Sequence, residues 1–199
     1  MSSVLRPDGT LDPARLAAFV AWAEPCIRDW PPRLTGSDHQ AQVLDSTRRV
    51  VEELDAVPVS AITDQRTLTN IAYSLAMAHN LDLPTSLKAK QAFERAIAIN
   101  PNDRRANYLF GMFLISTKAY HFDSLPYLQK AYALGEEDAL FSIGLLLVRK
   151  DEKAKGLEAL EKYAKVRPES VQTRRVIEGI KNGTLTFHET ANPPINAKR

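Results

Sequence analysis

Two oily stretches, each with a glycine near its middle, constrain this chain more than any other feature: Tyr108–Ile115 and Ala139–Val148. Their glycines, Gly111 and Gly144, lie 33 residues apart. Each stretch is followed by an amphipathic segment, Leu125–Leu134 and then Ala154–Val166. Paired helices recurring at a fixed period of this length belong to a helical repeat, because one such pair cannot bury its apolar face alone and stacks on its neighbour. Neither stretch approaches the roughly 20 apolar residues that cross a bilayer, so no membrane partner is expected.

The 199 residues suffice for one sizeable core. Hydrophobic residues make up 44% and charged residues 25%, an ordinary globular balance. Net charge is +2 and the basic residues are scattered, which leaves no electrostatic footprint for nucleic acid. The pairs Arg48-Arg49, Arg104-Arg105 and Arg174-Arg175 read as balanced by neighbouring carboxylates. Arg48 and Arg49, four residues before Glu52 and Glu53, read as a solvated ion-pair face. Cys26 is the only cysteine, so no intrachain disulfide forms. With no long apolar core in Met1–Arg6, the expected compartment is the cytoplasm.

Start and stop signals divide the chain into helices. Residues 1–11 read as an extended arm with a turn at Pro7-Asp8-Gly9. Asp12 before Pro13 is an N-cap with a first-position proline, and Pro25 kinks or ends the helix they open. Ser37 with Gln40 reads as a capping box for a second helix with Leu44, Val50, Val51 and Leu54 inside. Thr63-Asp64 caps a third, Thr85 or Ser86 starts a fourth, and Asn100-Pro101-Asn102-Asp103 caps a fifth that runs to about Ser116. A sixth begins at Asp123 or Ser124 and stops at Gly135; a seventh ends near Arg149; an eighth spans about Glu152–Val166; a ninth spans Ser170–Lys181. The tail from Asn192 has little to bury, and Thr184–Phe187 is a weak strand candidate.

From about residue 70 to 168 the chain resembles the tetratricopeptide repeat family. Ala89, Phe93, Ala96 and Pro101 match that family's second helix at all four positions, although Met77 replaces the first-helix glycine after Tyr73. The next unit supplies Phe110-Gly111, Leu114, Ser124, Leu128 and Ala131, with one residue inserted and Glu136 in place of proline. The third supplies Leu140, Ile143-Gly144, Leu147, Gly156, Leu160, Tyr163 and Pro168. The expected architecture is therefore all-α: an arm and helical leader over 1–60, a repeat array with a terminal capping helix over 61–183, and a tail over 184–199.

The resemblance implies that the first helices of successive units line a concave groove. It carries that role to Ile71, Ser74 and Ala78, then Arg105, Tyr108, Met112 and Ile115, then Asp138, Phe141, Leu145 and Val148. Family members that grip a C-terminal carboxylate use Lys, Arg and Asn at set positions. Those positions here hold Ser74, Ala78, Leu109, Asp138 and Ser142, which disfavours that ligand. What remains is apolar, and an exposed apolar strip of this size needs a cover. The leader, a second copy giving a homodimer, or a segment of another protein or peptide would each serve.

No catalytic constellation stands out. His39, His79, His121 and His188 fall on different elements without a second ligand at metal spacing, so no metal or cofactor is expected. Trp22 and Trp30 flank Pro25 and Cys26 and read as a satellite hydrophobic cluster more than a partner anchor. The expected function is a non-catalytic protein-binding module: an adaptor, assembly factor, or chaperone- or immunity-like binder. The competing expectations are a homo-oligomeric structural module, or a small hydrolase-type enzyme between leader and array using Cys26, His39 or His79.

Overall fold

The computed structural model describes residues 3–29, 31–117 and 121–185. Within them lie nine α-helices: α1 (Pro13–Ile27), α2 (Gly36–Asp55), α3 (Gln65–His79), α4 (Ser86–Ile99), α5 (Arg104–Ser116), α6 (Leu125–Ala133), α7 (Ala139–Arg149), α8 (Lys153–Val166) and α9 (Val171–Lys181). Two short 3-10 turns and one isolated bridge between Leu5 and Leu11 complete the regular structure of the described residues. Thr184 and Leu185 are not in a strand; the rest of that candidate, the tail from Asn192, Trp30 and His188 lie outside the described residues. The chain divides into two compact units, one carrying α1–α4 and ending at Pro101, the other carrying α5–α9 from Asn102.

Four of the helices start where a short polar side chain reaches back to an unpaired amide. Asp12 accepts from Ala14 and Arg15, Asp64 from Thr67, Asp103 from Ala106, and Ser170 from Thr173. The capping box read at Ser37 and Gln40 does not form. The helix opens one residue earlier, at Gly36, where φ is +77°, and Ser37 Oγ donates to Asp38 instead. Pro25 does not end α1, which runs on to Ile27. The proline sits in the last turn, and Asn80 Nδ2 secures the end by donating to Ile27 O at 2.9 Å and Arg28 O at 3.0 Å.

In the first unit α3 is enclosed. Every residue from Thr67 to Ala78 is buried, with α4 on one side and α1 and α2 packed on the others. Its polar side chains tolerate this because they bond the helix's own backbone: Thr69 Oγ1 donates to Gln65 O and Ser74 Oγ to Asn70 O. Tyr73 reaches α1 through its hydroxyl, which donates to Glu24 at 3.0 Å. The inner register of α2 is Val43, Thr47, Val50 and Leu54, not Leu44 and Val51, which are half-buried. Thr47 can enter the core because its hydroxyl donates to Val43 O at 2.7 Å. Glu53, read as an ion-pair partner on the solvated face, accepts the Val4 amide at 2.7 Å and so pins the arm, whose Val4 side chain is buried.

In the second unit the helices of each hairpin meet at glycine. A Cβ on Gly111 would stand 2.7 Å from Leu128 Cγ, and one on Gly144 2.6 Å from Leu160 Cγ. The repeat's small residue thus receives the large one of the facing helix, as the family pattern implied. Gly156 is tighter still: its Cβ would lie 2.7 Å from the Gly144 carbonyl oxygen and 3.0 Å from the Val148 nitrogen. Side chains can rotate away, whereas backbone atoms cannot. Gly156→Ala is therefore expected to cost about 1–3 kcal/mol of unfolding free energy. Gly111→Ala, which meets mainly a leucine side chain and gains helix propensity, should cost less; urea titrations of the two variants give the comparison.

Four helices end in the same way. After α3, α6, α7 and α9 the next amides turn back to the last helical carbonyls in Schellman motifs, with Asp82, Gly135, Asp151 and Gly183 in the left-handed region. At the α7–α8 turn Asp151 N donates to Val148 O and Glu152 N to Leu147 O, at a φ of 65° that an aspartate adopts only with strain. Asp151→Gly is expected to raise stability by about 0.5 kcal/mol, the strain relief exceeding the entropy added to the unfolded chain, and to raise the thermal midpoint.

Candidate functional site

Residues of α5 sort cleanly around its axis. Ala106, Leu109, Phe110, Gly111, Phe113 and Leu114 are buried, while Tyr108, Met112 and Ile115 form a half-buried strip that Arg105 extends to the exposed helix start. On α7 the buried arc is Ala139, Leu140, Ile143, Gly144, Leu146 and Leu147, and the half-buried strip is Phe141, Ser142, Leu145 and Val148. The outward face of each helix is thus apolar, where a surface helix ordinarily presents charge. The two strips touch: Ser142 Oγ donates to Met112 Sδ at 3.4 Å, and Tyr108, Met112 and Ile115 pack on the cluster that contains Leu140, Ile143 and Leu147.

Of the eight positions that the repeat register singled out in this unit, all but Asp138 therefore lie on adjoining strips, with distinct surroundings. Phe141 leans on α8, its ring 5.6 Å from that of Tyr163, and Val148 lies against Gly156. Tyr163 was read only as a repeat position; in the fold it floors one edge of the strip. Asp138 begins α7 without capping it and pairs with Arg167 at 3.1 Å. The first-unit positions carried over by the same register do not join a groove. Ile71, Ser74 and Ala78 are at most 1% exposed, because α1 and α2 occupy their side of α3.

Folding brings Cys26 and His39 together, which the sequence left open. Cys26 Sγ lies 3.7 Å from His39 Nε2, while the Thr35 amide donates to His39 Nδ1 at 3.1 Å. A neutral ring that accepts at Nδ1 carries its proton on Nε2, so it faces the sulfur as a donor and not as the base that would activate a thiol. His79 ends α3. Carboxylates held below their usual range serve caps and surface pairs: Asp12 through the Arg15 and Ala14 amides, Asp64 through Thr67, Glu152 through Lys155, and Glu158 through Lys162. Among the described residues no three His, Cys, Asp or Glu side chains converge as metal ligands, and no helix is long and apolar enough to cross a membrane.

No protein-family model matches the sequence, and no curated protein matches it. Solved structures do share the fold. A crystal structure of MamA aligns at 20% identity over 73% of this chain and 81% of that one, with a TM-score of 0.56. A second MamA crystal structure aligns at 15% identity over 84% and 81%, with a TM-score of 0.60. Residues 41 to the end of MamA from Desulfovibrio magneticus RS-1 align at 17% identity over 85% and 86%, with a TM-score of 0.54. The fold is a tetratricopeptide-like helical repeat. It is all-α, and the positions that define the repeat, from Ala89 and Phe93 to Gly144 and Leu160, do the packing that the pattern assigns them.

Burial first, and then the negative charge of Asp138, raise the Tyr163 hydroxyl above the ordinary tyrosine value. Removing that charge favours the phenolate. Asp138→Asn is therefore expected to shift Tyr163 ionisation to lower pH, read by NMR of isotope-labelled tyrosines, with the other tyrosines as internal controls.

Proposed function

We propose that this chain is a non-catalytic protein-interaction module whose α5–α7 strip receives a segment of another protein. The observation that carries the reading is the half-buried apolar surface made by Tyr108, Met112, Ile115, Phe141, Leu145 and Val148. A surface of this kind, continuous across two helices and with its bordering carboxylate Asp138 paired to Arg167, is what an apolar segment of a partner displaces water from. Arg105 stands beside it as the polar contact that fixes direction. The free thiol of Cys26 suits a reducing compartment such as the cytoplasm. The Cys26–His39 pair supports no competing hydrolytic reading, since its hydrogen-bond pattern turns the imidazole toward the sulfur as a donor.

Met112→Glu with Leu145→Glu places two carboxylates in the strip at half-buried positions, where the fold tolerates them better than in the core. The wild-type chain, used as bait in host extract, should retain a specific protein that the double variant loses by roughly thirtyfold or more in affinity, the scale of an interface centre. Circular dichroism should show the helices intact. Equal retention by both baits would remove the proposal, and so would a mass that doubles with concentration for the wild type alone, which would make a second copy the occupant.

A further inference from the structure

The three helices that would face a bound segment in the second unit are almost devoid of negative charge. Neither α5 nor α7 contains a single Asp or Glu, while they carry Arg104, Arg105 and Arg149; α9 adds Arg174, Arg175 and Lys181 against Glu178 alone. Among these cations Arg104 pairs with Glu136 and Lys181 with Glu161. Arg105, Arg149, Arg174 and Arg175 are exposed. The sequence suggests that Arg174 and Arg175 are balanced by neighbouring carboxylates, but among the described residues they form no ion pair in the structure.

Register places this charge relative to the strip. The 33-residue step that takes Tyr108 to Phe141 leads next to Arg174, and the step from Met112 to Leu145 leads to Glu178. α9 buries Thr173 and Ile180, which leaves Arg174 on an exposed arc. The row that is aromatic on α5 and α7 is therefore continued by arginine on α9. A segment that follows this row meets apolar surface first and guanidinium groups last.

Building on the function proposed above, we infer that the occupant is a protein segment that carries apolar residues followed by side-chain carboxylates. The apolar residues lie on the α5–α7 strip and the carboxylates face Arg174 and Arg175. Arginine suits this role, because its planar fork bonds a carboxylate bidentately and stacks on aromatic rings. Segments rich in lysine or arginine are rejected by the same charges.

A random peptide-display library panned against the full chain tests both readings separately. The selected peptides should combine apolar residues with a net negative charge, and amidating their C-termini should leave binding unchanged, because side chains and not a terminal carboxylate are recognised. Arg174→Gln with Arg175→Gln should weaken the best peptide on the order of tenfold and flatten its dependence on ionic strength. Retained melting behaviour would show that these exposed changes leave the fold intact. Peptides that are neutral or basic, or an affinity unmoved by the two arginine substitutions, would overturn the acidic-segment inference; if they are still lost with Met112→Glu and Leu145→Glu, the strip itself stands. A labelled single-stranded oligonucleotide that competes for the same site would also overturn the inference, since the charges would then serve a phosphate backbone. Peptides indifferent to the strip substitutions as well would remove both readings.

Discussion

The second unit is spaced by a backbone contact. Gly144 and Gly156 face each other so closely that a methyl group on either would strike the other's carbonyl oxygen. That approach sets how near α7 lies to α8, and the leucines follow from it: Leu160 fills the hollow over Gly144 just as Leu128 fills the one over Gly111. Once the hairpins are this close, Leu140, Ile143, Leu146 and Leu147 reach the buried cluster with Leu125, Leu128 and Ala159. The residues of α7 on its opposite arc are covered only in part, Phe141 by Tyr163 and Val148 by Gly156, and they form the strip.

Burial in this chain does not follow hydrophobicity helix by helix. α3 contains Thr67, Thr69, Asn70 and Ser74, yet it is the enclosed helix; α5 and α7 are oily nearly all round, yet each keeps a half-open face. The difference lies in how polar atoms are satisfied. A hydroxyl that donates to a carbonyl four residues back is no longer an unpaired group, so enclosing it costs little. An apolar side chain left half in water has no such internal remedy, and only coverage by another surface recovers the lost free energy. The polar helix is thus a finished structural element, and the oily ones are where the molecule retains something to gain from contact.

Much of this was legible in the sequence, for reasons that can be named. Caps were read correctly where a single side chain within three residues decides the outcome, as at Asp12, Asp64 and Asp103. The repeat was legible because its spacing is a property of the chain itself. All of the failures but one share a cause: each depended on a distant segment. Glu53 bonds Val4 across 49 positions, Asn80 caps a helix 53 positions away, and Ile71 is hidden by helices with no repeat pattern. Ser37 lost its box to a glycine in the left-handed region one residue before it. In the candidate site, Tyr108, Met112 and Leu145 followed from register, whereas the Tyr163 edge and the contact of Cys26 with His39 needed the packing of α8 on α7 and of α2 on α1.

The carboxamide of Asn80 has a consequence for how the first unit moves. Both of its donors close off the carboxyl end of α1 from a position at the end of α3, and Tyr73 ties to Glu24 one turn earlier. α1 cannot peel away without stranding a buried amide on α3 and uncovering Ile71 and Leu75. Local opening of either helix is therefore coupled to the other. The amide protons of α1 and α3 should belong to one cooperative exchange unit, although the leader lies outside the repeat pattern.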